Sequence, residues 1–327
     1  MKIGSEKLPK GFVLAKPIAQ ESYDESVIYE LEPQGKLIIT RKRDGWKLLA
    51  HFNSKGKIHL YTDGINEIDS RLDHIKKELQ GMEFPPNTLV VGEAIVDLSN
   101  NDDLGKVIGI FHSKLDKSLA IQKEYGKVRF MVFAVISLTV ENSSGSSLGH
   151  DYRFEINKKK YKYVFNAPII LETFNRAKEL VVINGWEGLV LYDTDYQLTY
   201  RTDGKAPQRP EGCYKWKPIL EDDFIVRHWI PRSDVVNQVK ELILLQLDSE
   251  TQQEFYCGKL GSFSNDMRDQ LAKMHYPLVV QARFDMRFPK TGKIRNPRFI
   301  RIRDDKPVHA CISYKNYPEA EYKQKPS

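Results

Sequence analysis

Apolar residues recur along this chain in short runs broken by polar turns, with a spacing that alternates between two and about three and a half. Leu37-Ile38-Ile39 opens a strand over 36–41, and strands over 46–53 and 57–62 follow, joined at Ser54-Lys55-Gly56, so residues 37–64 predict a meander. Ile68, Leu72, Ile75 and Leu79 keep helical spacing and stop before Gly81. Residues 88–98 and 129–138 are apolar enough for buried strands, the first interrupted by Glu93. The stretch between them, 100–125, is polar, with a helix predicted near 115–124. Residues 141–149, rich in Ser and Gly, predict a mobile loop. An amphipathic helix over 171–183, a strand over 189–192, a loop over 202–210 and a short strand over 214–217 complete this half.

After Pro218 the pattern changes. Residues 222–306 hold short alternating strands (224–229, 241–247, 253–258, 278–286, 298–303) and one helix near 265–274. Five strands with one helix predict a small β-barrel of the oligonucleotide-binding (OB) type.

Composition narrows the class without deciding it. The chain has 327 residues, 41% hydrophobic and 29% charged, as in soluble globular proteins. No apolar run reaches membrane-spanning length, and residues 1–30 lack a signal-peptide pattern, so the expected location is cytoplasmic, with no membrane partner. The 3 cysteines form no CxxC pair and the 8 histidines no HxxxH pair, which argues against a disulfide framework or a zinc site. A net charge of +6 leans toward an anionic partner. Its clustering at 41–47, 156–162, 215–217 and 283–306 says more than the total.

Five places carry candidate chemistry. Lys42, at the end of a predicted strand and followed by Asp44-Gly45, sits where the backbone turns sharply. Its amine is a nucleophile only when neutral, and Arg41, Arg43, Lys47, Lys215 and Lys217 are expected to lower its pKa. Glu93, inside an apolar strand, needs a cation, a metal or a ribose hydroxyl as partner. Phe133 lies in a buried-type strand, and Glu187 enters a strand between Gly185 and Gly188, which leave room for a ligand. Lys215 and Lys217 alternate and so point to one face, as two ammonium groups would around a phosphate. Each has a plainer reading: a basic turn on a sheet edge, a solvent-facing glutamate, core packing for Phe133, a solvated strand face.

Taken in order, Lys42-x-Asp44-Gly45, Gly92-Glu93, Val132-Phe133, Glu187-Gly188-x-Val190 and Lys215-x-Lys217 resemble the collinear motifs of covalent nucleotidyltransferases: ATP-dependent DNA ligases, RNA ligases and mRNA capping enzymes. Arg303-x-Asp305-Lys306 resembles the closing motif of ATP-dependent DNA ligases, and Tyr256 to Gly261 a glycine-containing hairpin of their second domain. The match spans about Leu14 to Lys306.

The resemblance implies an α+β fold. A nucleotidyltransferase (ATP-grasp-like ligase) core of antiparallel sheets with flanking helices would fill 1–218, and an OB-fold β-barrel 219–327. The implied activity is sealing of 5′-phosphate/3′-hydroxyl nicks in duplex DNA, through a lysyl-AMP and an adenylated strand. The catalytic set would be Lys42, Lys215, Lys217 and Asp44. ATP would be held by Thr40 and Phe133 at adenine, by Glu93 at the ribose, by Lys47 at the ribose or a 5′-phosphate, by Glu187, and by Arg303, Asp305 and Lys306 at the pyrophosphate. Glu93 and Glu187 would hold Mg²⁺, or Mn²⁺ in its place. The resemblance is to compact ligases of viruses and bacteria, which implies a monomer in a bacterial cell or a virus-infected host, with 99–127 and 141–163 as candidate DNA-embracing loops.

The chain departs from the pattern in places. Lys47 stands where the family has Arg. Tyr61-Thr62-Asp63-Gly64 replaces Ser/Thr-Arg-x-Gly, Ala134 replaces Asp after Phe133, and Tyr192 stands where Lys or Arg often follows the Glu-Gly motif. None removes a residue needed for adenylation, but together they point to an unusual nucleic-acid preference. The alternatives are a ligase acting on RNA ends or RNA/DNA hybrid nicks, a capping-type guanylyltransferase, and a non-catalytic nucleic-acid-binding protein.

Overall fold

In the computed structural model, which describes residues 6–68, 70–98, 101–102, 104–138, 145–146, 156, 160–288, 290–315, 317 and 320–321, the chain divides into two units, Met1–Lys217 and Pro218–Ser327. The first unit runs through α1 (Ser26–Leu31), β1 (Leu37–Lys42), β2 (Trp46–Phe52), β3 (Ile58–Thr62), α2 (Asp73–Gln80), β4 (Thr88–Ile95), α3 (Leu104–His112) and α4 (Leu115–Tyr125). It continues with β5 (Arg129–Ser137), β6 (Val164–Asn166), α5 (Phe174–Asn184), β7 (Gly188–Asp193) and β8 (Cys213–Trp216).

Two sheets organise these elements. One has the order β6-β5-β4-β2-β3, antiparallel except where β6 runs parallel to β5. The other has the order β8-β7-β1, antiparallel throughout. The expected meander over 37–64 therefore fails at its first step. β1 pairs with β7, with Lys42 opposite Gly188, and the corner Arg43-Asp44-Gly45 carries the chain into the other sheet. The turn chemistry was readable there, but pairing partners are set by tertiary packing and not by adjacency.

Side-chain alternation builds three apolar layers. Leu48, Ala50 and Phe52 of β2 and Val90 and Ala94 of β4 face a core with Leu72, Ile75, Leu79, Val107 and Ile110, beneath the helices. The intervening Leu49, Leu89 and Val91 face the three-stranded sheet, meeting Ile38, Tyr192 and Cys213. The far side of that second sheet, with Ile39, Leu189, Leu191, Tyr214 and Trp216, is covered by Ile28 of α1 and Phe174, Ala177 and Val181 of α5. A fully buried side chain of this size contributes about 1.5–3 kcal/mol, so a register slip in either sheet would be costly.

On β5 the alternation changes hands. Phe130 and Val132 lie in the helix-side core, whereas Ala134 and Ile136 lie in the inter-sheet core. The register explains it: Val91 pairs with Ala134 and Gly92 with Val132, so Phe133 is the extra residue of a β-bulge.

The polar stretch after β4 holds α3 as well as the expected helix, its apolar Val107 and Ile110 buried at helical spacing. Most of 139–159 lies outside the described residues, including the Ser/Gly loop apart from Gly145–Ser146, which pairs with Gln197–Leu198. The lysine run is described only at Lys160 and Lys162.

The second unit is built on a long strand, Val239–Asp248, which pairs with Leu220–Val226, Trp229–Pro231, Glu254–Leu260 and Ile312–Ser313. Leu278–Phe284 and Arg298–Ile302 extend the sheet beyond Leu220–Val226. The helix Asn265–Ala272, whose N-cap Ser264 accepts a hydrogen bond from the Met267 amide, buries Leu271 in a core with Phe224, Leu242, Phe255 and Val280.

Candidate active site

The inter-sheet side of the first unit is where charge gathers. β1 turns Thr40 and Lys42 to that side, because Ile39 belongs to the opposite core. β8 behaves alike: Tyr214 and Trp216 are buried beneath α5, which leaves Cys213, Lys215 and, just past the strand, Lys217 for the inter-sheet side. A cavity of about 260 Å³ opens there, lined from one sheet by Thr40, Lys42 and Lys215 and from the other by Lys47, Glu93 and Phe133. The bulge is what re-aims Phe133 into it.

The sheets approach closely because two positions carry no side chain. A Cβ on Gly45 would lie 2.4 Å from the Ala94 carbonyl oxygen and 2.7 Å from Cγ of Glu93. One on Gly188 would lie 2.2 Å from the Trp216 carbonyl oxygen and 3.1 Å from Cγ of Lys217. Each glycine thus brings a backbone up against a candidate site residue.

A row of three side chains starts from Lys42 at the cavity wall. Lys42 Nζ lies 2.6 Å from Glu187 Oε2, and Lys217 Nζ lies 2.9 Å from Glu187 Oε1. Glu187 is only 7% exposed, and the structure sets both ends of the pair in the same sense. Burial pulls the Lys42 pKa down, but Glu187, Glu93 and Asp44 outweigh it and hold the ammonium above its ordinary value. Burial pushes Glu187 up, and Lys42 and Lys217 outweigh it and hold the carboxylate below its usual range. The expected depression of Lys42 by neighbouring cations is therefore not what the structure gives. Three carboxylates stand nearer the amine's field than the cations invoked from sequence. Depression does occur at Lys215, where burial leads and Lys217, Arg209 and Lys42 add to it.

Glu93 lies opposite Lys47 in the β2–β4 register and shares the cavity with Lys42. Burial pushes its carboxyl up to about 7, against the pull of Lys42 and Lys47. Thr40 donates its hydroxyl proton to the Val190 carbonyl at 3.2 Å. Among the described residues no group of three or more His, Cys, Asp or Glu side chains gathers as a metal site. Magnesium commonly takes only one or two carboxylates from the protein and completes its shell with phosphate oxygens and water. Glu93 and Glu187 fit that donor set.

In the second unit Arg303, Asp305 and Lys306 also cluster. The Arg303 guanidinium donates to both Asp305 oxygens at 2.8 Å and to Asp223 Oδ2 at 2.8 Å, and Lys306 Nζ lies 2.9 Å from the same Asp223 oxygen.

Three polar residues at the cavity were not picked out from sequence. Lys16 and Arg209 line it, and Asp63 holds Lys16. Lys16 was visible only as part of Leu14-Ala15-Lys16-Pro17, a compact apolar-basic element without an assigned role. Arg209 sits in a loop whose sequence carries no signal; its position comes from donating to the Pro17 carbonyl.

The fold, a two-sheet core followed by a sheet-rich second unit, is similar to that of solved DNA ligases. Pmar-Lig_Pre superposes with a TM-score of 0.61 at 17% identity, over 89% of this chain and 67% of that one. Pmar-Lig_PreS3 gives 0.60 at 16%, over 88% and 67%. A chain from a structure–function analysis of Lig E DNA ligases gives 0.58 at 18%, over 91% of this chain and 99% of that one. No protein-family model and no curated protein matches the sequence.

Proposed function

We propose that this protein is an ATP-dependent polynucleotide ligase that adenylates itself on Lys42 and seals 5′-phosphate/3′-hydroxyl nicks in duplex DNA. One observation carries the reading: an amine that lines a cavity together with an aromatic ring is bonded at 2.6 Å to a carboxylate, which a second amine holds at 2.9 Å. The fold shared with Lig E DNA ligases supports it.

In this reading adenine lies against Phe133 with its amino group toward Thr40. That hydroxyl spends its proton on Val190 and keeps lone pairs for a donor. Lys42 is protonated in the nucleotide-free state and must lose that proton before it attacks. Glu187 is hydrogen-bonded to it and placed to receive the proton. The N–P bond to the α-phosphorus forms as the bond to the β-phosphate oxygen breaks, and pyrophosphate departs. Lys215 and Lys217 stabilise the charge that develops on the α-phosphate. A divalent cation held by Glu93 and Glu187 would supply a further positive charge against the phosphates. AMP then passes to a 5′-phosphate, and a 3′-hydroxyl displaces it. The second unit, read as an OB-fold, contributes Arg303, Asp305 and Lys306 toward the leaving pyrophosphate and a basic face toward the duplex, where phosphate contacts make binding salt-dependent.

Incubation with α-labelled ATP and Mg²⁺ tests the first step. Acid-labile, protein-bound AMP is expected from wild type and none from Lys42→Ala. Absence of label from wild type sinks the reading. Thr62 and Tyr192, which stand where the motif pattern has basic residues, bear on the strand preference. A panel of nicked DNA, RNA and hybrid duplexes decides which strand chemistry is preferred, and labelling by GTP would redirect the assignment to capping-type transfer.

A further inference from the structure

Thr40 has two partners, and the adenylation chemistry uses only one of them. On β1 it stands opposite Val190 of β7, while Tyr192, two residues further along β7, stands opposite Ile38. Thr40 and Tyr192 are both buried, and both line the cavity. The Thr40 hydroxyl donates to the Val190 carbonyl at 3.2 Å, and the Tyr192 hydroxyl is hydrogen-bonded to Thr40. A threonine hydroxyl has one proton and two lone pairs. Val190 takes the proton, so Tyr192 donates into one lone pair and a single lone pair is left.

We propose that Tyr192 determines which purine the cavity accepts, as a positioning residue acting through Thr40: it fixes the Thr40 oxygen as an acceptor only, so that a 6-aminopurine binds and a 6-oxopurine is rejected.

The polarity of this row decides the preference. Tyr192 donates to Thr40, which donates to Val190, and a hydroxyl that accepts one bond donates its own more strongly. Burial holds the Tyr192 phenol well above its ordinary value, so it remains a donor at any working pH. An exocyclic amino group offers the proton that the last Thr40 lone pair lacks. A 6-oxo group offers only lone pairs, and turning the Thr40 proton toward it would give up the bond to Val190. Tyrosine stands here where the motif pattern often has Lys or Arg, so this control belongs to this chain and is not supplied by the shared motif. A packing role alone would need only the ring, which lies in the inter-sheet core with Leu49, Val91 and Tyr196.

The inference rests on the ligase reading for the seat of the purine against Phe133 and Thr40. ATP and ITP differ only in the 6-position group and the proton on the adjacent ring nitrogen, so kcat/KM for lysyl-nucleotide formation from each reads the preference. Tyr192→Phe keeps the ring and is expected to narrow the ATP preference about tenfold, the value of one hydrogen bond. Thr40→Val should narrow it at least as far. Adding Tyr192→Phe to Thr40→Val should change it no further, because the two side chains act as one unit. Tyr196→Phe, which removes a buried cavity hydroxyl hydrogen-bonded to Cys213 instead, should leave the preference at its wild-type value. Titration with AMP and IMP repeats the comparison without chemistry. No label from wild type with either triphosphate overturns the ligase reading, and the titration then decides the role of Tyr192 with the same variants. The inference fails if wild type does not prefer the 6-amino nucleotide, if Tyr192→Phe leaves the preference unchanged, or if Tyr192→Phe narrows it equally in the Thr40→Val background.

Discussion

Glu187 in the first unit and Asp223 in the second are almost the same construction. Each is a nearly buried carboxylate, 7% and 11% exposed, holding two cations at 2.6 to 2.9 Å. Their cations are about equally exposed, 27% and 23% against 18% and 26%. Geometry and burial therefore do not distinguish a reactive centre from a structural clasp. The cations do. Arg303 is a permanent charge whose fork also grips Asp305, and the guanidinium cannot become a nucleophile. Lys42 can, and it faces a cavity in which Glu93 and a row of further cations converge. In the proposed reaction one carboxylate organises the nucleophile, and the other ties the segment after Arg298–Ile302, with the cations proposed for pyrophosphate, back to Leu220–Val226.

The largest effect that tests this contrast is at the first unit. Glu187→Gln is expected to lower the rate of lysyl-AMP formation at least about a thousandfold, because it removes the proton acceptor and a cation-binding oxygen together. Its residual activity should also move along the pH axis. Glu187 is the leading influence holding the Lys42 ammonium above its ordinary value, so its loss lets burial and Lys217 bring that pKa down. The alkaline rise in rate should then begin at lower pH than in wild type. A residual profile that does not shift would mean that Glu187 does not govern the Lys42 proton.

The next largest loss is that of Asp223→Asn. It should cost about 2 kcal/mol of stability in chemical unfolding, the scale for breaking a partly buried ion pair. Lysyl-AMP formation should fall far less than in Glu187→Gln. A loss as deep as that of Glu187→Gln, in protein that remains folded, would erase the distinction and make Asp223 part of the reaction.

The sequence carried this contrast unevenly. Strands over 88–98 and 129–138 and the helix near 171–183 were legible because strong apolar periodicity survives any tertiary context. The Gly-Glu and Glu-Gly pairs were legible because close backbone approach requires glycine beside the working residue. The pairing of β1 with β7 was hidden, since periodicity says that a strand exists and not which strand it meets. The bulge at Phe133 was hidden too, because Met131 to Val135 reads as an unbroken apolar run whichever residue is extra. The charge state of Lys42 differs from expectation for a related reason: Arg41, Arg43, Lys47, Lys215 and Lys217 suggest a lowered pKa, whereas the neighbouring Asp44 and the carboxylates Glu187 and Glu93, which the fold brings to it, raise it. Asp63 stands at an unspecified position of a motif the chain breaks and Arg209 in no motif at all, so only the fold shows them.

Glu93 gives no loss of stability but a gain, and a pH-resolved one. Its carboxyl is pushed from its ordinary value of 4.5 up to about 7, so the folded protein binds this proton more tightly than the unfolded chain does. For a raised carboxyl the sign runs against the usual carboxylate case. The folded state is unpenalised below the unfolded pKa, loses stability as pH rises from about 4.5 to 7, and stays at the lower value above that. Glu93→Gln cannot ionise and escapes that loss. Relative to wild type it should gain about 3 kcal/mol at pH 8 and nothing at pH 4, since the shift already includes the favourable pull of Lys42 and Lys47 on the wild-type anion. The same variant should weaken dependence of lysyl-AMP formation on the divalent cation, whereas wild type should require more cation below about pH 7, where Glu93 is protonated. Urea unfolding at the two pH values, with cation titrations alongside, measures both. Equal stability changes at pH 4 and pH 8 would show that Glu93 titrates in the folded protein as it does in the unfolded chain, and burial would then not govern it.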